Sequence, residues 1–96
     1  FQKDNIRFQI AKCYINLGQF NKAEKYLQGI LSIKGDYTSF ENTLYPITNY
    51  WLGVCNEELG KDDQAILHYK QLLDYWKNAD VSIPEFIDTK KRLANL

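Results

Sequence analysis

The sequence predicts an all-α fold of two consecutive helical hairpins closed by a fifth helix, and three observations carry that expectation. The first is an internal repeat: a shift of 42 residues lays Ile10 on Leu52, Ala11 on Gly53, Cys13 on Cys55, Leu17 on Leu59, Gly18 on Gly60, Ala23 on Ala65, Ile30 on Leu72 and Leu31 on Leu73. Self-similarity over both apolar and turn positions marks stacked supersecondary units, each too small to bury its own face alone. The second is apolar spacing at three and four residues, the period of one helix face, on both sides of Gly18 and again around Gly60. The third is composition: 96 residues, 45% hydrophobic and 25% charged, fit one globular domain rather than a disordered or membrane-spanning chain.

Taken in order, Ile6, Ile10, Tyr14 and Leu17 form the expected stripe of the first helix, which Gly18 ends by accepting a positive φ. Asn21 is the expected cap of the second helix, with Glu24 three residues on and Ala23, Leu27, Ile30 and Leu31 as its buried face. Residues 35–45, rich in Gly, Asp, Ser, Thr and Asn, read as a loop, and Pro46 suits the first turn of the third helix. That helix carries Tyr50, Leu52, Cys55 and Leu59 up to a second stop at Gly60. Asp63 is the expected cap of the fourth, which presents Ile66, Tyr69, Leu72 and Leu73. Ser82 and Glu85 form a capping box around Pro84 and start a fifth helix over 82–96, with Phe86, Ile87, Leu93 and Leu96 on one face. Its expected place is across Ile66, Tyr69 and Leu73, as a lid on the flank that the last hairpin leaves open. The small residues Ala11, Ala23, Gly53 and Ala65 mark close helix crossings, where a larger side chain would cost about 1–3 kcal/mol.

These residues resemble the tetratricopeptide repeat. Leu17-Gly18 followed by Phe20 and Ala23, with Ala11 and Tyr14 upstream, carry the likeness in the first copy, and Leu52-Gly53, Leu59-Gly60, Ala65 and Tyr69 in the second. The likeness assigns one domain over 1–96, with repeats at 4–34 and 46–77, and implies a right-handed helical-hairpin solenoid with a C-terminal capping helix. The period departs from the usual length of about 34, Gly35 stands where a closing proline is frequent, Asn56 replaces Tyr14, and Asp62 replaces Phe20. The tail from Leu73 to Leu96 is similar to the end of such arrays in bacterial multidomain proteins, and the start at Phe1 reads as an internal cut.

Charge and motif content narrow the function classes. Twelve basic and twelve acidic residues cancel, so no net field gathers nucleic acid or anionic lipid, and neither partner is expected. Lys90-Lys91-Arg92, the one basic run, suits a solvated helix face. No apolar run approaches the roughly 18 residues that span a bilayer. The glycines never cluster as a phosphate-binding loop. Cys13 and Cys55 read as small apolar core residues, unpaired because equivalent points on neighbouring helices lie about 8–10 Å apart. The single histidine, His68, stands outside any nucleophile or metal motif, so neither catalysis nor a cofactor is expected.

A protein or peptide partner is what the resemblance implies, held in the groove lined by the first helix of each hairpin. Its inner positions correspond here to Asn5, Phe8, Lys12, Ile15 and Asn16, then to Ile47, Tyr50, Val54, Glu57 and Glu58. Phe8 and Tyr50 either anchor a ligand there or pack on neighbouring helices. The carboxylate clamp of some family members needs several Lys, Arg and Asn side chains, which these positions do not supply. A different outcome is a structural element that self-associates as a homodimer through the uncovered face near Phe1 and Asp4.

Overall fold

The computed structural model describes residues 2–31, 44–75 and 84–96, with side chains described over 6–31, 46–74 and 84–96. Among them are five helices in chain order: α1 (Gln2–Asn16), α2 (Phe20–Leu31), α3 (Leu44–Glu58), α4 (Asp62–Tyr75) and α5 (Pro84–Asn95). The first four each pack on the next, α1 on α2, α2 on α3 and α3 on α4, and α5 lies against α4 and α3. This is an all-α helical-hairpin solenoid. The expected loop at 35–45 falls outside the described residues, apart from Leu44 and Tyr45, which already belong to α3.

Both hairpins turn by the same device. Gly18 and Gly60 have φ of 77° and 78°, a region that costs other residues about 1–2 kcal/mol. Around the first, the Gly18 amide donates to the Ile15 carbonyl (3.0 Å) and the Gln19 amide to the Tyr14 carbonyl (2.9 Å). Around the second, the Gly60 amide reaches Glu57 (3.0 Å) and the Lys61 amide reaches Asn56 (2.7 Å). That pair of bonds is the Schellman closure of a helix C-terminus. It also corrects the expected caps. The next helix starts at once, because the carbonyls of Gln19 and Lys61 accept the amides of Ala23 and Ala65. Gln19 and Lys61 therefore hold the cap positions, while Asn21 and Asp63 each lie two residues further on. Asp62 and Asp63 occupy the first turn of α4, where the helix dipole favours a carboxylate.

Two apolar clusters run along the stack. Ala11, Ala23, Leu27, Ile30, Leu52 and Cys55, all fully buried, join α1, α2 and α3. Tyr50, Val54, Ala65, Tyr69 and Leu72 join α3 to α4, and Phe86 and Leu93 of α5 pack against them. Each fully buried leucine or isoleucine contributes about 1.5–3 kcal/mol. A close crossing lies at Gly53, where any Cβ would overlap the Tyr69 ring.

Three sequence expectations about faces change. Ile6 and Leu17 are 58% and 69% exposed, because α1 packs through Phe8, Ala11, Tyr14 and Ile15, which share only Tyr14 with the expected stripe. Cys13 follows Ile6 and Leu17 outward and is exposed, whereas Cys55 is buried. Along α5 the inward stripe is half-buried Phe86, buried Thr89 and half-buried Leu93, at steps of three and four, while Ile87 and, just past the helix, Leu96 remain exposed. Thr89 fits this apolar setting because its hydroxyl donates to the Glu85 carbonyl one turn back (2.7 Å). Pro84 is the first residue of α5. Its expected cap, Ser82, is outside the described residues.

Candidate partner-binding face

The inner positions of the first hairpin lie on α1. Phe8, Lys12 and Ile15 are half-buried and Asn16 is exposed; the side chain of Asn5 is outside the described residues. Phe8 and Lys12, four residues apart, meet on one helix face. The Lys12 ammonium lies 5.8 Å from the centroid of the Phe8 ring and 4.3 Å from that of Trp51 on α3. A cation over an indole face at that distance is attracted by about 0.5–1 kcal/mol where solvent is near. Lys12 therefore bridges the first helices of the two repeats. Trp51 is absent from the sequence-derived positions, which pass from Tyr50 to Val54. The signal for it lay in the run Tyr50-Trp51, two aromatics on adjacent faces of one helix, whose rings meet edge to face at 5.0 Å.

The second hairpin's positions divide differently. Ile47 is half-buried and Glu58 exposed, but Tyr50 and Val54 are buried and Glu57 is engaged within the protein. The Tyr50 hydroxyl donates to Asp88 Oδ2 of α5 at 2.5 Å. Arg92 donates through Nε to the same oxygen (2.6 Å) and through Nη1 to Glu57 Oε1 (3.1 Å). The Tyr69 hydroxyl donates to that Glu57 oxygen in a short hydrogen bond. A continuous polar chain thus ties α3, α4 and α5 together, Tyr50 to Asp88 to Arg92 to Glu57 to Tyr69. Burial, reinforced by the hydrogen bond to Asp88, pushes the Tyr50 phenol up to about 12. The same bond, with Arg92 beside it, holds the Asp88 carboxyl below the usual carboxylate range although partial burial opposes it.

Other polar groups are absorbed by the core. His68 is 6% exposed, and its Nδ1 lies within hydrogen-bond distance of Asn49 Oδ1 (3.0 Å). Desolvation lowers the His68 pKa. Asn56, fully buried where the first copy has Tyr14, donates to the Leu52 carbonyl (2.7 Å). Burial pushes the Cys55 thiol up to about 12. Among the described residues no group of three or more His, Cys, Asp or Glu side chains stands where it could hold a metal ion, and no helix is long and apolar enough to cross a membrane.

Comparison with known families decides the lineage, because a tetratricopeptide repeat matches residues 5–37 and a second matches residues 48–79. The chain belongs to the tetratricopeptide repeat family. The two repeats correspond to the α1–α2 and α3–α4 hairpins, with α5 beyond them. Tetratricopeptide repeats generally serve as protein–protein interaction modules and are typically non-enzymatic scaffolds. Neither the curated proteins nor the solved structures return a match.

Proposed function

We propose that this tetratricopeptide domain binds a protein or peptide segment along the face where α1 meets α3, with Phe8, Lys12, Ile15, Ile47 and Trp51 as its centre. The observation that carries this reading is the Phe8–Lys12–Trp51 contact. It places two aromatic rings, a cation and flanking aliphatic groups on a half-buried surface between the repeats. Aromatic side chains of this kind lose little rotamer entropy on binding and dominate interface energetics. Asn5, Asn16 and Glu58 belong to the rim of the same proposed face. Tyr50, Val54 and Glu57 belong to its second half, which α5 overlies.

Alanine at Phe8 separates binding from folding. The ring is only half-buried, so Phe8→Ala should cost the fold less than the roughly 3–5 kcal/mol of a core aromatic and weaken a partner by about 2 kcal/mol or more. Titration of the partner and urea denaturation on the same samples give both quantities. Unchanged affinity in Phe8→Ala and Lys12→Ala together would remove this face from the binding site.

A further inference from the structure

Tyr50, Val54 and Glu57 are needed by the second half of the proposed groove; α5 bonds to Tyr50 and Glu57, and its Phe86 and Leu93 pack against the cluster that holds Val54. The attachment of α5 differs in kind from the attachment of one hairpin to the other. Between hairpins the centre of the contact is dry, made by Leu27, Ile30, Leu52 and Cys55, all fully buried, with Lys12 over Trp51 and the Lys61–Glu24 ion pair at its margin. Beneath α5 it is mixed: Phe86 and Leu93 are half-buried, Thr89 alone on the helix is buried, and Ile87 and Leu96 face outward. The rest of the attachment is the polar chain through Arg92, whose side chain is 33% exposed against 39% for Asp88 and 22% for Glu57. Elements with few buried apolar contacts and solvent-reachable polar ones open at lower free energy than the core they rest on.

The geometry points to α5 as an autoinhibitory strap: it lifts as a unit while α1–α4 stay folded, and in lifting it uncovers Tyr50, Val54 and Glu57 for a partner. Arg92 is the catch, since it bonds to both Asp88, on its own helix, and Glu57, on α3. Loss of the Arg92–Glu57 link leaves α5 held by Phe86, Leu93 and the Tyr50–Asp88 bond. The autoinhibitory role rests on the inner face being the binding surface; the lifting of α5 does not, and it is measured without any partner.

Two adjacent positions on α3 report the two possible openings. Val54 belongs to the cluster under α5, and Cys55 to the cluster under α2. In Cys13→Ser, Cys55 is the sole thiol and reports separation of α2 from α3. In Cys13→Ser/Cys55→Ser/Val54→Cys, the sole thiol reports lifting of α5. Labelling with excess thiol reagent, followed by mass spectrometry, should proceed at least about tenfold faster at position 54 than at position 55. Arg92→Gln should accelerate position 54 by about another tenfold, the scale of one lost charged hydrogen bond, and leave position 55 unchanged. Equal rates at the two positions, rising together in Arg92→Gln, would overturn the strap, because α5 would then open only with the whole domain. Amide exchange on the chain with Val54 intact gives a second reading. Exchange at Asp88–Lys91 should be faster than in the centres of α2 and α3, and Tyr50→Phe should accelerate those α5 amides alone; one common protection level for all three helices would contradict the proposal. A partner indifferent to Phe8→Ala would remove the groove and leave the strap standing, so the two failures are distinguishable.

Discussion

At Gly53 a hydrogen atom stands where any other residue would drive a Cβ into the Tyr69 ring, and at Gly29, inside α2, the nearest outside atom to such a Cβ is Arg7 Cδ at 3.9 Å. The same substitution should therefore have opposite signs at the two sites. Gly29→Ala should stabilise by about 0.5–1 kcal/mol through helix propensity, whereas Gly53→Ala should lose about 1–3 kcal/mol despite that gain. Urea unfolding of both variants checks the pair. His68 supplies a pH dependence. Its folded pKa is depressed by burial, so the unfolded chain takes up its proton first, near pH 6.5. The stability from the neutral imidazole is present above that pH and is lost as pH falls from there through the lower folded pKa. His68→Gln should flatten the stability profile between about pH 7 and pH 5, measured by denaturant midpoints. Among single residues, the two turn glycines and the small crossing residues were legible in sequence, since backbone sign and close approach permit few alternatives. Cys13 was not, because Cys55 is buried against α2 of the first hairpin, whereas the equivalent side of α1, which carries Cys13, is exposed.

Elements were legible wherever local chemistry fixes them. Five helices, both glycine stops and Pro84 at the start of α5 follow from spacing and backbone preference. The caps were misplaced for a local reason: the Schellman closure makes the residue after each glycine both the end of one helix and the cap of the next, which the side chains of Asn21 and Asp63 do not reveal. The face of α1 was misread because Ile6, Phe8, Ile10, Tyr14, Ile15 and Leu17 distribute around the helix, and tertiary contact, not period, selects among them. For α5 the expected stripe was right at Phe86 and Leu93 and wrong at Ile87 and Leu96. Its role as a cover predicts that truncation after Asn78 exposes Tyr50, Val54 and Tyr69. A loss of about 2 kcal/mol, equivalent to two half-buried apolar side chains, would lower the melting midpoint by about 8–16 °C in a domain of this size. Thermal melts with light scattering measure it; a truncated chain that stays monomeric with an unmoved midpoint would show that α5 covers nothing.

For the whole molecule, the repeat in sequence becomes a stack in which each helix meets the next, and the proposed partner face is a property of the stack and not of either copy. That explains which parts of it sequence could reach. Phe8 and Lys12 were accessible from position alone. Trp51 entered only when α1 and α3 were set side by side, and Asp88 and Arg92 only when α5 was placed over α3, because helical period says nothing about the register of elements separated by a long connection. That this domain holds a partner on the face where α1 meets α3 is checked by site-specific photocrosslinking in cells. A photoreactive phenylalanine analogue replaces Phe8 or Asn16 on the proposed face, and Lys25 or Gln28, both exposed on α2, serve as outer positions. Positions 8 and 16 should give one shared adduct, and positions 25 and 28 none. Adducts confined to 25 and 28, or equal at all four positions, would contradict it.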